Sequence, residues 1–199
     1  MLENLKFCVV IFNEDGRWIA QCIEHDICIQ CDSIGEIRER FSLALEVELW
    51  YSTVKCRIPS TKIAPAPARL QKEWRQRSQF EDENRVDLIT RDGKSITLQF
   101  SCGPYAKKGP PIKIQPTLTE YLTYVQSNGC IVQNGVAHTE RGQSHNVKFV
   151  INTKNKNTLV SVVPPDVYLL SSLVEYYDRR LGFVGWSAPI DWSSLNVSA

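Results

Sequence analysis

Four side chains with soft or borderline donor atoms fall within ten residues near the start of the chain: Cys22, His25, Cys28 and Cys31. The spacing C-x2-H-x2-C-x2-C offers the thiolate and imidazole set that tetrahedral zinc takes. Geometry argues against that reading. Residues 27–31 read as a strand, where successive side chains alternate faces, so Cys28 and Cys31 point to opposite sides. A zinc knuckle also needs a tight turn between paired ligands, usually with Gly, and no Gly lies between Cys28 and Cys31. The expectation is therefore no metal, and no other sequence feature calls for a cofactor.

The elements around these residues form a well-punctuated series. Lys6–Phe12 is apolar on both faces, as a central strand is. Asn13-Glu14-Asp15-Gly16 supplies a turn, Trp18–Cys22 the partner strand and Ile27–Cys31 a third. Ser33 and Glu36 have capping-box spacing ahead of a helix, whose residues Ile34, Ile37, Phe41, Ala44, Leu45 and Leu49 recur on one face. This predicts a β-β-β-α domain over residues 1–56. Residues 57–85 read as a basic linker: Ile63–Ala68 is a Pro/Ala stretch, and Leu70–Arg77 is a short basic helix with Leu70 and Trp74 on one face. Over residues 86–115, Val86–Ile89 and Ile96–Phe100 form a hairpin, followed by a loop and a short strand at Ile112–Ile114.

A second unit, residues 116–199, opens with a capping box, Thr117 to Glu120, on a helix ending at Asn128-Gly129. Strands are predicted at Cys130–Val136, His145–Asn152 and Thr158–Val163, the last two joined by the polar loop Thr153–Asn157. Pro164-Pro165-Asp166 starts a final helix that Gly182 ends. The order is α-β-β-β-α, followed by a tail with Trp186 and Trp192. The fold class is thus α+β.

The run matched by Trp18, Ala20, Cys22, Cys28, Asp32, Ser33, Glu36, Ala44 and Leu45 resembles the antitoxin half of the HicA/HicB toxin–antitoxin systems. That resemblance explains Cys22 and Cys28 as ordinary strand cysteines and implies protein–protein function, since the family commonly dimerises or assembles. The second unit resembles the double-stranded-RNA-binding fold of HicA-type toxins, through Gly129, Gly142-Gln143-Ser144-His145 and Val163-Pro164. There the matched histidine is the general acid/base of RNA cleavage, which implies a catalytic role for His145, with His138 a weaker candidate. An imidazole can accept a 2′-hydroxyl proton and return one to the leaving oxygen. Gln143 is an extra residue relative to that motif, and the competing reading makes His145 a hydrogen-bonding residue at a strand edge. HicB relatives resemble a partial ribonuclease H fold, but Asp15, Glu24, Asp26 and Asp32 lie in turns and read as solvated acids rather than a two-metal site.

Arg141, Lys148, Lys154 and Lys156 are the candidate RNA contacts, with Arg179-Arg180 on the last helix. The charge balance weighs against them: residues 116–199 hold 6 basic and 6 acidic side chains, residues 57–115 hold 12 and 6, and residues 1–56 hold 5 and 10. A double-stranded-RNA-binding shape without a basic surface is poor evidence of RNA binding. The basic middle suits docking on the acidic head. Trp74, Trp186 and Trp192 are the candidate protein contacts. No helix-turn-helix pattern supports DNA binding, and no apolar run reaches the ~18–20 residues of a membrane span. Seven scattered cysteines suit reduced thiols and a cytoplasmic setting. The resulting expectation is a noncatalytic or oligomeric interaction protein, a HicB-like head fused to a HicA-like tail. The alternative is an RNA-binding protein or metal-independent endoribonuclease, masked by the head.

Overall fold

The computed structural model describes residues 4–52, 64–75, 85–89, 95–106, 115–139, 142–164 and 166–183. The fold is α+β, with two sheets. The chain divides into two compact units, Met1–Lys108 with His138–Ser144, and Gly109–Ala137 with His145–Ala199.

The first unit is built on β1 (Asn4–Glu14), β2 (Arg17–Cys22), β3 (Cys28–Cys31), a 3-10 turn at Ile34–Glu36, α1 (Ile37–Trp50), α2 (Ala68–Arg75), β4 (Arg85–Ile89) and β5 (Ser95–Ala106). Its strands form one sheet in the order β3-β2-β1-β5-β4. The two-faced apolar run of β1 does sit at the centre. Antiparallel β2 flanks it on one side and β5, parallel to it, on the other. The hairpin of β4 and β5 is therefore part of the first sheet rather than an appendage. Phe7, Val9, Ile11, Ala20, Leu98 and Phe100 pack with Ile37, Phe41, Leu45 and Leu49 of α1 in one core. The opposite face is covered as well, although it carries Gln21, Gln30, Thr97, Gln99 and Ser101 beside Val10 and Ile19.

Two local expectations for this unit are corrected. The Ser33 hydroxyl accepts from the Gly35 amide, at 3.2 Å, rather than from Glu36, and caps the 3-10 turn. Glu36 does not fold back to complete a box; its carboxylate pairs with Arg40, one helical turn ahead, at 3.0 Å. Burial on α1 also extends beyond a single stripe, since Glu46, Val47, Glu48 and Trp50 are buried with the inward-facing residues. The Pro/Ala stretch is more than a spacer. Pro65 and Pro67 have no amide hydrogen to give, yet Ala64 accepts from the Asp26 amide at 2.7 Å and Ala66 donates to the Ile23 carbonyl at 3.2 Å. Ile112–Ile114 lies outside the described residues.

The second unit contains α3 (Leu118–Ser127), all but one end residue each of β6 (Cys130–His138) and β7 (Ser144–Asn152), β8 (Thr158–Ser161) and α4 (Ser171–Leu181), in the predicted α-β-β-β-α order. Its sheet runs β6-β7-β8. Leu118, Tyr121, Val125, Val150, Leu159 and Leu173 are among its buried residues. The final helix starts later than the Pro164-Pro165 signal implies. Leu118 donates to the Val167 carbonyl and Leu169 donates to Pro116, so residues 167–169 are held extended against the start of α3. Helical backbone begins only beyond them.

The Thr117 capping box is complete. The Thr117 hydroxyl accepts from the Glu120 amide at 3.2 Å, and the Glu120 carboxylate accepts from the Thr117 amide at 2.7 Å. Thr117→Ala should lower the second unit's stability by about 1 kcal/mol, read as a denaturation-midpoint shift at unchanged slope. Ser33→Ala, which removes a single exposed bond, should cost less; an equal loss from both would contradict the reciprocal cap.

Candidate functional site

The Cys/His group of the first unit is divided by strand alternation. Gln21 pairs with Cys28 and Trp18 with Cys31 across β2 and β3, so Cys28 lies on the opposite face from Cys31. Cys22 and Cys31 enter the core beneath α1. Burial pushes the Cys22 thiol far up, and it pushes Cys31 up to about 11, so both are held as neutral thiols, unreactive as nucleophiles. His25 is buried, its ring edge-on to Phe7 with centroids 4.4 Å apart. Among the described residues no group of three or more His, Cys, Asp or Glu side chains is arranged to hold a metal. The described cysteines are free thiols, with Cys102 exposed and Cys8 half-buried.

The turn acids are not uniformly solvated. Asp15 is exposed, and Asp32 pairs with Arg17 at 3.3 Å. Asp26 is buried and accepts from Gln21 at 3.3 Å, while Glu24 accepts the Cys8 amide at 2.7 Å. Glu24, Asp26 and Asp32 thus serve three different partners rather than one shared site.

In the second unit, β7 carries His145 and Lys148. Lys148 is paired in register with Ser161, whose hydroxyl shares a 2.7 Å hydrogen bond with Tyr177 of α4. Cross-strand partners share a face, so Lys148 projects from the helix-facing side, where its ammonium donates to Asn134. His145, three residues earlier, projects from the other side. Its Nε2 is buried and has no hydrogen-bond partner among the described residues. That geometry differs from a strand-edge hydrogen-bonding histidine, and it keeps Nε2 out of reach of a substrate.

Lys154 and Lys156 are exposed in the loop between β7 and β8. At about 3.3 Å per residue along a strand, they lie on the order of 25 Å from His145. These lysines and His145 are therefore not gathered around one phosphate. His138 is the exposed imidazole, and its Nδ1 forms a 3.0 Å hydrogen bond with Ser144 Oγ, a pairing that strand-level reading of the motif did not reveal. Arg141, Trp186 and Trp192, and the side chain of Trp74, lie outside the described residues.

A second arrangement went unforeseen because neither member belongs to the matched motifs. Tyr121, fully buried on α3, donates to Asp178 of α4 at 2.7 Å. The Tyr177 ring lies tilted against it, centroids 5.5 Å apart, and Tyr176 lies tilted against Tyr177 in turn. The only advance sign is that Tyr121 and Tyr177 share the apolar faces of their helices.

No family model, curated protein or solved structure matches this chain. No helix among the described residues is long and apolar enough to cross a membrane.

Proposed function

We propose that the chain is a noncatalytic interaction protein of toxin–antitoxin ancestry, with a HicB-like head and a HicA-like, double-stranded-RNA-binding-like second unit, acting in the cytoplasm through a protein partner or self-association. The observation that carries the noncatalytic reading is the buried Nε2 of His145, together with the separation of that ring from Lys148, Lys154 and Lys156. The β-β-β-α and α-β-β-β-α element orders support the two halves of the resemblance. Free described cysteines fit a reducing compartment.

The endoribonuclease alternative draws on one different observation, the exposed His138 imidazole bonded to Ser144. Incubating purified full-length protein with single- and double-stranded RNA at neutral pH separates the two readings. No cleavage is expected from wild type, His145→Ala or His138→Ala. Light scattering should report a mass above the 22.7 kDa chain, reduced by Trp186→Ala or Trp192→Ala. Metal-independent cleavage by wild type that either histidine variant abolishes would sink the noncatalytic reading.

A further inference from the structure

A strand at the rim of a sheet presents a row of backbone groups that will bond another strand unless something blunts it. Among the described strands the rims are β3 and β4 in the first sheet, β6 and β8 in the second. β3 is buried along its whole length, β4 carries the exposed pair Arg85 and Asp87, and β8 spans only Thr158–Ser161. β6 has none of these protections. It runs nine residues, Cys130–His138, without Lys, Arg, Asp, Glu or Pro, and its Ile131 and Val136 are 48% and 45% exposed. Its backbone is also turned the right way. Thr139, just past the end of β6, donates its amide across the hairpin to the Gln143 carbonyl. Backbone groups point to alternate sides along a strand, so those of Gln133, Gly135 and Ala137 also turn toward β7, and those of Val132, Asn134 and Val136 turn outward. Asn134 shares the helix-facing side with Lys148, which places Val132 and Val136 there too. Gly135, closed over by the Phe149 ring, lies on the other side with Ile131 and Ala137.

We propose that β6 is a contact between two copies of this chain, which pair their β6 edges antiparallel about Asn134 and continue one sheet through both. The contact rests on the self-association proposed above and assigns it a surface. A two-fold contact must be complementary to itself, and this register is. Asn134 faces its own copy on the axis, Val132 faces Val136 of the partner subunit, and Ile131 faces Ala137 of the partner subunit. The two-fold axis repeats each of these apolar pairs. Facing residues share a side of the sheet, the outward-turned backbone groups meet as reciprocal N–H···O=C pairs, and no like charges are opposed. A two-residue slip would set Val132 against Asn134 of the partner subunit and lose the apolar pairing.

Light scattering and sedimentation of the full-length protein test the contact. Wild type is expected at about twice the 22.7 kDa chain mass or more. Val136→Lys puts a charge into the apolar pair and should raise the dissociation constant about tenfold or more, with an unchanged circular dichroism spectrum. Asn134→Pro removes an outward amide that β7 does not use and should act in the same direction. Facing Cα atoms of a bonded antiparallel pair lie about 5.5 Å apart, within disulfide reach. Asn134→Cys treated with diamide should therefore give a covalent dimer that Lys154→Cys, in the exposed loop between β7 and β8, does not. An unmoved mass in folded Val136→Lys, or equal cross-linking of the two cysteine variants, would overturn the β6 contact while leaving self-association through another surface standing. A monomeric wild type would overturn both. The cross-link decides the matter even where Asn134→Pro fails to fold.

Discussion

Phe41→Ala should destabilise the first unit by about 3–5 kcal/mol, a large share of a small domain's total stability. Phe41 is fully buried on α1, between that helix and the sheet, and its ring stands edge-on to Phe100 of β5 at 5.9 Å and 90°. Three losses combine on truncation. The ring's apolar area returns to water on unfolding without its former contribution, the cavity keeps most of its volume, and the aromatic pair is broken. Ile37 and Leu45, one turn to either side, are themselves fully buried, which limits how far the site can collapse. Residue-resolved amide exchange in β1 and β5 measures the effect, because global opening governs those central strands. Phe41→Leu, which retains much of the volume, should cost less than half as much. Ile34→Ala, at a position 46% exposed, should fall within about 0.5 kcal/mol of wild type. A Phe41→Ala loss below about 1 kcal/mol would mean that α1 is not anchored on the sheet through this ring.

Gly182→Ala should cost the second unit about 2–3 kcal/mol, from two sources that act together. The residue has φ of 77°, in the left-handed region where an L side chain is penalised by roughly 1–2 kcal/mol. Its amide donates to Arg179 and that of Phe183 donates to Asp178, the paired bonds of a helix end closed by glycine. A side chain there would also collide with the amide nitrogens of Asn155 and Asn157 in the loop between β7 and β8. Asn155 donates to the Leu181 carbonyl at 3.0 Å and Asn152 donates to the same oxygen at 2.8 Å. Displacing Asn155 loses about 1 kcal/mol more. Asn155→Ala alone removes one of these two donors and should cost about 1 kcal/mol, so the glycine variant is expected to be clearly worse. Urea denaturation of both variants makes the comparison; equal losses would assign the whole effect to the hydrogen bond and none to the backbone.

The Gly182 stop and the Thr117 cap were both legible before any fold was known, because a helix end is settled by groups within one turn of it. Ser33 had the same spacing and failed. The Glu36 carboxylate had a competing partner in Arg40, at a distance along the helix that suits an ion pair, and left the reciprocal bond unmade. Pro164-Pro165 misled in a similar way. Proline favours a helix start, but the bonds that Leu118 and Leu169 make across residues 116–118 and 167–169 hold the segment extended. His145 was singled out by its motif, yet motif position carries no information about whether Nε2 reaches solvent.

The sequence alone determined the α+β class, the order of elements in both units and the central place of β1. These follow from signals spanning a few residues: apolar period, turn chemistry and caps. Tertiary structure decided the rest. Only folding brings β5 beside β1 in parallel, since that pairing joins residues as far apart in the chain as Asn4 and Ser95. Packing alone covers a sheet face bearing Gln21, Gln30 and Gln99, and buries one nitrogen of His145. It also singles out Asp178, half-buried beside Tyr121, as the carboxyl raised toward neutral pH. Burial and long-range pairing are properties of many distant residues at once, and no local pattern of residues encodes them.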